Sequence, residues 1–516
     1  LRLLGVEETL RRIRGMFAFA YYEPSTQTLW LCRDRLGIKP LHYVSRGDVL
    51  YFSSEVKGIA AVLPLAIDPV RALFSIASVA DDSLDRTCFR GVKQVPPGAA
   101  LVCRRGHEPE VRRYYSPIDD FDEAYYRELD SAPEAHIVET FLKLFTHAVE
   151  RTLMSDVRLG AFVSGGIDSS LVVAIARKTR EDIPLFSADI AGEMSEIDDA
   201  RRLASHLSCE LHEVRFEPGQ LLQEWARATW HYEYPIVRHV NAIPFMTVAR
   251  LARSSGTKVV LTGEGADELF LGYPKLLARR FERIARGPVD TMMNLYGKLP
   301  GLREFLWPQL SPQPTDFLSL LAQDFQRQRI REPSLQKLAF LGEEGAREQY
   351  LTLEMLQESL HSLLHRNDRM GMAHSIEARF PFLDEELLRF GISLPAKFKI
   401  HRSTRFHNFK HPFLEDKWVT RAAARDLLPR ELVHKRKNGF PMPGYRVVKV
   451  KPSFFRGGYV EDALSLSCDT ADYITRRANP MHVARLAAVD LHGRLFEQGW
   501  SIQRATEHVL QHADAA

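Results

Sequence analysis

The stretch LGAFVSGGIDSS, Leu159 to Ser170, decides the fold, because it predicts a strand, a glycine-rich turn and a helix in immediate succession. The apolar run stops at Ser164, and two glycines follow it. Adjacent glycines let the backbone approach a ligand and leave N–H groups free to bind an anion at a helix N-terminus. Asp168 suits such an anion site when Mg²⁺ joins its carboxylate to phosphate oxygens. A structural turn whose helix is capped by Asp168 and Ser169 is the simpler alternative.

A second turn of the same kind follows further along the chain. Strands and helices alternate from Leu159, which predicts a parallel sheet that binds ligands beyond the carboxyl ends of its strands. The turn TGEGADE, residues 262–268, places two glycines among three carboxylates, which repel one another unless a cation lies nearby. Asp267 is the expected cation ligand beside Asp168, with an acidic solvated turn as the alternative. Because both turns follow strands, we expect them to share one site.

Composition and charge describe an ordinary globular protein. The chain has 516 residues, too many for a single core, so two or three domains are expected. A net charge of +3 gives no case for a nucleic-acid or membrane partner, and no apolar run approaches the roughly 18 residues of a membrane span. The five cysteines are scattered and lack CxxC spacing, which argues against disulfides or a zinc site and favours a cytoplasmic location.

Three regions are predicted along the chain. Residues 1–115 read as strands joined by turns, with GMFAFAYY and LWLCRD as a hairpin in a sheet covered on both faces. Residues 116–134 are acidic, lack strand periodicity and are interpreted as a linker. Residues 135–516 open with helical periodicity, continue through the alternating strands and become mostly helical after about residue 275.

Two charged stretches beyond the sheet are further candidates. HRNDRMGMAHSIEARFPFLD, residues 365–384, is either a buried ion network or a substrate pocket. Its charged side chains in question are Arg366, Asp368, Arg369, Glu377 and Arg379. The run HKRKNGF precedes a Gly-Phe-Pro turn, and its Lys437 can neutralise charge on a phosphoryl group, unless the run is only solvated surface.

Four motifs occur in the order found in glutamine-dependent asparagine synthetases, which the chain resembles: SGGIDSS, TGEGADELFLGY, DRMGMAHSIEARFPFLD and KRKNGFPMP. GMFAFAYYEPSTQTLWLCRDRLGIKPLHYV with FSSEVKGI is similar to the second part of that family's N-terminal glutaminase domain. The resemblance implies an α/β fold in two parts. Residues 1–115 would form a truncated Ntn-type glutaminase β-sandwich portion. Residues 135–516 would form an adenine-nucleotide α-hydrolase-like (PP-loop) domain with a parallel sheet and many helices.

The resemblance also implies roles for single residues. The pyrophosphate loop falls on Ser164, Gly165, Gly166, Asp168 and Ser169. The adenine and ribose contacts fall on Val163, Ala188, Thr262 and Gly263, of which Ala188 replaces a larger aliphatic residue. The Mg²⁺ ligands are Asp168 and Asp267, and Glu264 matches the acid linked to formation of the aspartyl-AMP intermediate. Glu377 and Lys437 match the acid and the lysine of the acyl-transfer site.

The implied reaction uses ATP and Mg²⁺ to activate the β-carboxylate of aspartate, releases pyrophosphate, and forms asparagine with ammonia. Full-length members draw that ammonia from glutamine with an N-terminal cysteine as nucleophile. This chain begins with Leu1 and enters the family pattern late in that domain, and no other cysteine is placed to serve, Cys32 being mid-strand. We therefore expect either a fragment or an ammonia-dependent enzyme. A homodimer is kept open as its assembly.

The sequence leaves three alternative functions open. Relatives on the same scaffold close β-lactam rings, cyclise lasso peptides, or amidate sugars and peptides, so another carboxylate acceptor is the nearest alternative. The missing nucleophile also suggests a non-catalytic homologue, although the intact SGGIDS and TGEGADE argue against it. A PP-loop enzyme that modifies tRNA would need a basic face or reactive cysteines, and neither is evident.

Overall fold

The computed structural model describes residues 1–71, 84–190, 195–237, 239–273, 334–402, 414–435, 444–464 and 468–515. The strands are β1 Ala18–Glu23, β2 Thr28–Arg33, β3 His42–Arg46, β4 Val49–Ser53, β5 Lys93–Gln94, β6 Ala99–Arg104, β7 Glu110–Arg113, β8 Leu159–Phe162, β9 Leu185–Ile190, β10 Leu211–Phe216, β11 Val259–Leu261, β12 Glu377–Arg379, β13 His401–Arg402, β14 Leu414–Glu415, β15 Val448–Val450 and β16 Ala513–Ala515.

The α-helices among the same residues follow in chain order. They are α1 Val6–Arg12, α2 Val56–Ala60, α3 Glu123–Ser131, α4 Glu134–Thr152, α5 Ile167–Thr179, α6 Ile197–Leu207, α7 Pro218–Tyr232, α8 Ala242–Ser254, α9 Ala266–Phe270, α10 Gly342–Glu354, α11 Leu360–Met372, α12 Glu385–Ser393, α13 Trp418–Ala424, α14 Arg430–Val433, α15 Tyr459–Leu464, α16 Cys468–Arg477, α17 Pro480–Phe496 and α18 Ile502–His512. None of the described helices combines the length and the low polarity needed to cross a bilayer.

The N-terminal region is a sandwich of two antiparallel sheets, as the family resemblance implies. One sheet has the order β1-β2-β6-β7 and the other β4-β3-β5. Leu31 and Leu101 of the first sheet pack against Tyr43 of the second. Trp30 and Val102 point the other way and pack against α1. The expectation that apolar residues cover both faces of this sheet is confirmed.

Residues 116–134, interpreted as a linker from their sequence, fold into packed elements. They form a short 3₁₀ turn, Pro117–Asp120, followed by α3. Phe121 and Leu129 are 3% and 1% exposed and belong to the core of the following region. These two apolar side chains anchor the stretch. They were missed by sequence reasoning because acidic residues flank them.

The second region is built on a five-stranded sheet whose order is β10-β9-β8-β11-β12. Every strand pair in it is parallel. The central strand β8 is buried along its whole length, as expected for a parallel strand covered by helices on both faces. Parallel strands bring the turns after β8 and β11 to the same edge, so the alternation of strands and helices predicts this architecture correctly.

Helix α11 connects the two regions. A π-helical turn, Met355–Ser359, joins it to α10. Asp368 forms an ion pair with Lys39 of the N-terminal region, with 3.0 Å between Lys39 Nζ and Asp368 Oδ1. Arg369, 2% exposed, contacts the buried Glu233 at 2.8 Å and Glu55 of the N-terminal region at 3.4 Å. One turn of α11 therefore holds the N-terminal sandwich through charged contacts.

Candidate active site

The turn between β8 and α5 owes its shape to glycine and serine. Gly165 has φ +68°, and a β-carbon there would lie 2.4 Å from the Asp199 Cβ, so no larger residue fits. The Ser164 hydroxyl accepts a hydrogen bond from the Gly166 N–H at 3.3 Å, and the Ser170 hydroxyl donates to the Gly166 carbonyl at 2.8 Å. The turn is thus held rigidly at the N-terminus of α5, where the helix dipole favours an anion.

The turns after β8 and β11 touch each other through backbone. A β-carbon on Gly263 would lie 2.5 Å from the Ser169 nitrogen and 2.9 Å from the Asp168 Cβ. Only a residue without a side chain permits this approach. The expectation that SGGIDS and TGEGADE meet at one place is confirmed by this contact.

Two carboxylates converge on one buried ammonium group beside the turns. Lys417 Nζ lies 2.7 Å from Asp168 Oδ2 and 3.1 Å from Asp267 Oδ1, and Lys417 is 2% exposed. Burial alone would lower the pKa of Lys417, but the two carboxylates outweigh it and raise that pKa above its ordinary value. The pair Asp168 and Asp267 therefore faces a shared positive charge, which the lysine supplies from one side.

The same two carboxylates could serve as ligands of a divalent cation. In the described ranges, no group of three or more His, Cys, Asp or Glu side chains gathers into a metal site made by the protein alone. A cation held by Asp168 and Asp267 would need further oxygens from a ligand. Mg²⁺ commonly binds in this way, with one or two carboxylates and the phosphates of a substrate. The residues present fit that arrangement.

The three acids of TGEGADE do not form one repelling cluster, because each has its own partner. Glu264 forms an ion pair with Arg366, and Asp267 contacts Lys417. Glu268, 1% exposed, accepts a hydrogen bond from the Tyr273 hydroxyl. Burial, together with the Glu268 carboxylate, raises the pKa of Tyr273 above its ordinary value. Two of the three acids therefore face a cation, and the third accepts a hydrogen bond from a neutral phenol.

A cavity of about 320 Å³ opens beside the two turns. Ten of the predicted site residues line it: Val163, Ser164, Gly166, Asp168, Ser169, Ala188, Thr262, Gly263, Glu264 and Asp267. Gly165 lies behind this surface and packs on Asp199 and Ala200. Lys437 lies outside the described residues. The sequence motifs thus converge on one concave surface.

The structure does not bring Glu377 to this cavity. Strand β12 runs parallel to β11, and Glu377 pairs with Val259, the first residue of β11. The cavity-lining Thr262 lies three residues further on, about 10 Å along the strand direction. Glu377 instead accepts a hydrogen bond from Arg379 Nε at 2.8 Å. The register of the sheet places this acid at the opposite, amino-terminal edge, so its expected place in an acyl-transfer site is wrong for this structure.

Charged residues of the stretch 365–384 lie both at the cavity and between the two regions. Arg366 points at the cavity, where it pairs with Glu264. Asp368 and Arg369 belong to the ion network between the two regions. The interpretation as an ion network is confirmed for Asp368 and Arg369, whereas a substrate pocket at Arg366 stays a prediction.

Several residues of the cavity wall were missed by sequence reasoning. Lys417 precedes α13 in no recognisable motif, and only folding places it between the two acids. Lys435, two residues before Lys437, lines the cavity and contacts Glu196 at 2.8 Å and Asp199 at 2.7 Å. The basic run HKRKNGF was a usable signal for Lys435, whereas nothing in the sequence indicated Lys417.

The family models that match this chain divide it into the same two regions. Residues 140–491 match the family model described as asparagine synthase, a span of well over half of the chain. The chain belongs to the asparagine synthase family. Residues 1–115 match the model described as a glutamine amidotransferase domain. The expected family and the α/β architecture in two parts are thereby confirmed.

Several named relatives are moderately similar to this chain in sequence. Glutamine-hydrolysing asparagine synthetase 1 of Bacillus subtilis is 28% identical over 463 residues, covering 85% of this chain and 69% of that protein. Asparagine synthetase 3 of the same organism is 25% identical, with 84% and 68% covered. Amidase chry2 of Gibberella zeae is 24% identical, with 84% and 70% covered. The structure of a U34-tRNA thiolase from Methanococcus maripaludis covers 44% of this chain and 80% of its own at 12% identity and a TM-score of 0.22, too low to support an argument.

Proposed function

We propose that this member of the family is an ATP-dependent ligase that converts aspartate and ammonia to asparagine. The observation that carries the proposal is the convergence of Asp168 and Asp267 on one cation position beside a glycine-rich turn that lines a cavity. An anion-binding turn next to two carboxylates suits a nucleotide triphosphate accompanied by Mg²⁺. The family membership and the asparagine synthetases among its relatives support the amidation half.

In the first half-reaction an oxygen of the acceptor carboxylate attacks the α-phosphorus of ATP, and the bond to pyrophosphate breaks. The N–H groups of the turn 164–166 and the N-terminus of α5 would hold the departing pyrophosphate. Asp168 and Asp267 would hold Mg²⁺, which, when bound, neutralises charge on the phosphates. Lys417 lies within contact of both acids and would remain beside them as a second positive charge.

In the second half-reaction ammonia attacks the activated carbonyl carbon, the bond to AMP breaks, and the nitrogen loses a proton. Glu264 is the cavity-lining acid of the second turn that is paired with Arg366 rather than with Lys417. Its side chain is 25% exposed, so it remains accessible from the cavity. We assign Glu264 to face the reacting carbonyl and to accept that proton.

Another carboxylate acceptor is the second candidate. The observation in its favour is that a relative named as an amidase covers as much of this chain as the asparagine synthetases do. The adenylation chemistry would be unchanged, and only the acid that enters the cavity would differ. The same assay therefore decides between the two candidates.

The test is exchange of labelled pyrophosphate into ATP with aspartate and Mg²⁺, together with asparagine formation from ammonium. We expect aspartate-dependent exchange, and its loss in Asp168→Ala and Asp267→Ala. Asp130→Ala is the matched control, because its side chain is 49% exposed and pairs with Lys397 away from the cavity. Exchange with another acid but not with aspartate would favour the second candidate. Normal exchange in both aspartate variants would overturn the assigned cation position.

A further inference from the structure

One wall of the cavity consists of side chains from two packed helices and lies outside the two turns. Asn241, which immediately precedes α8, and Phe245 come from one side. Leu363, Arg366 and Asn367 of α11 come from the other. The Arg366 guanidinium lies 5.4 Å from the centre of the Phe245 ring and thereby ties the two helices together.

This wall contains polar atoms that no other described residue satisfies. Asn241 Oδ1 and Asn367 Oδ1 are buried and have no hydrogen-bond partner among the described residues. Asn367 is fully buried, and its Nδ2 donates to the Leu363 carbonyl at 2.8 Å, so its Oδ1 faces away from that bond. Buried amide oxygens are normally hydrogen-bonded, and a missing partner is costly. Both asparagines line the same cavity, so a small side-chain shift would present either amide oxygen to a ligand that donates hydrogen bonds.

Arg366 contributes a positively charged hydrogen-bond donor to this wall. Its terminal nitrogen pairs with Glu264, whereas its Nε is buried and, in the part of the chain that the structure describes, has no hydrogen-bond partner. The wall therefore offers two acceptor oxygens and one cationic donor. An ammonium group has three N–H donors and no acceptor, and a carboxylate has only acceptors. A group carrying both matches this wall.

We propose that Asn241 and Asn367 form a subsite for the α-ammonium group of a free amino acid, with Arg366 Nε directed at its α-carboxylate. This assignment rests on the proposed function, because it places the acceptor of the adenylation in the same cavity. Phe245 and Leu363 would contact the carbon atoms between the charged groups. The two asparagines are specificity residues: they select an acceptor with a free amine and take no part in the chemistry.

The experiment compares aspartate with succinate, which lacks the amine, and with N-acetylaspartate, whose amine is blocked. For the unaltered chain we expect kcat/KM in ATP–pyrophosphate exchange to be at least about 100-fold higher for aspartate than for either analogue. In Asn367→Leu and Asn241→Leu that ratio should fall to less than about 10, because activity with aspartate falls while activity with succinate and the KM for ATP stay unchanged. Asn367→Asp keeps an acceptor oxygen and should retain the preference.

Gln357→Leu is the matched control. Gln357 is a buried amide on the neighbouring π-helical turn whose Oε1 also has no hydrogen-bond partner among the described residues, and it does not line the cavity. The control should keep the full preference for aspartate. An equal loss in the control would overturn the subsite and assign the effect to folding. Asn241 is only half-buried, so Asn241→Leu decides the matter if Asn367→Leu does not fold.

The outcomes separate the subsite from the function beneath it. No exchange with any acid in the folded, unaltered chain overturns the proposed function and the subsite with it. Exchange in the unaltered chain with the same aspartate-to-succinate ratio in both asparagine-to-leucine variants overturns the subsite alone. A rise in the KM for ATP without a change in that ratio also overturns it, because the asparagines would then belong to nucleotide binding.

Discussion

Lys417 contacts both carboxylate oxygens of Asp168, at 2.7 Å and 3.0 Å, although 249 residues separate the two in sequence. The contact places a permanent positive charge where the proposed reaction also needs a metal ion. The Lys417 ammonium group reduces the repulsion between the carboxylates of Asp168 and Asp267 near the N-terminus of α5. Assembly of the site is therefore coupled to folding of the segment around α13.

Removal of this ammonium group should destabilise the fold. Lys417→Met leaves the half-buried Asp168 and Asp267 without their counter-charge, so we expect the free energy of unfolding to fall by about 3 kcal/mol, the lower end of the cost of breaking a buried pair. Urea denaturation with and without Mg²⁺ measures this free energy of unfolding, and Mg²⁺ should restore part of the loss. Lys397→Met, at an exposed pair, should cost less than about 1 kcal/mol. A Lys417→Met protein as stable as the unaltered chain would show that the contact contributes little.

The backbone contact between the two turns should be equally sensitive. Gly263→Ala adds a β-carbon 2.5 Å from the Ser169 nitrogen, so the turns must separate. A displacement of this size in a reacting site can cost about 100-fold, and we expect at least that loss in ATP–pyrophosphate exchange. Gly219→Ala, where a β-carbon meets nothing within 4 Å, should keep full exchange. Unchanged exchange in Gly263→Ala would mean that this close approach is not needed.

Acid should destabilise the chain through His492. Burial lowers the pKa of His492 to about 4, with its ring 3.3 Å from the Glu233 carbonyl. The folded form therefore prefers the neutral ring, and this stability is present above about pH 6.5 and is lost as the pH falls towards 4. The loss over that interval is about 3 kcal/mol.

Replacement of this histidine should flatten the pH profile. In His492→Asn, we expect the slope of unfolding free energy against pH to fall at pH 5 by about 1 kcal/mol per pH unit, as measured by urea denaturation across the range. His107→Asn, at an exposed position, should leave the slope unchanged. An identical slope in both variants would show that His492 does not titrate with folding.

Ammonium, and not glutamine, should supply nitrogen to the 516-residue chain. Burial raises the pKa of Cys32 to about 12 and that of Cys103 to about 11, and Cys209 is raised as well. A thiol with so high a pKa is a poor nucleophile at neutral pH. Asparagine formation with each nitrogen source in parallel measures the preference. Glutamine-dependent synthesis that survives Cys32→Ser would point to a nucleophile other than Cys32.

The parallel sheet and its two turns could be predicted because their information is local. Strand, glycine turn and helix follow one another within a dozen residues around Gly165, and Gly263 repeats the order. Parallel topology then requires the turns to lie at the same edge. Ten predicted residues line one cavity for that reason, although their roles stay predictions.

Other features depended on relationships that the sequence does not display. Glu377 stands in a motif rich in charge, but the register of β12 against β11, which sets its edge of the sheet, is a tertiary property. Lys417 reaches Asp168 only through long-range packing, and Asn367 looks like any polar residue of a helix until its burial is known. The expected cytoplasmic location also stays a prediction.

The contacts of helix α11 have a consequence for joining this synthase portion to another N-terminal domain. Arg366 faces the cavity, and the next two charged residues, Asp368 and Arg369, grip the N-terminal sandwich through Lys39 and Glu55. A chimera that grafts a foreign amidotransferase onto this synthase portion would leave Asp368 without its cation, two residues from the cavity-lining Arg366. Compatibility between the halves is thus encoded in a few charges, and a working graft must bring a matching lysine and glutamate with it.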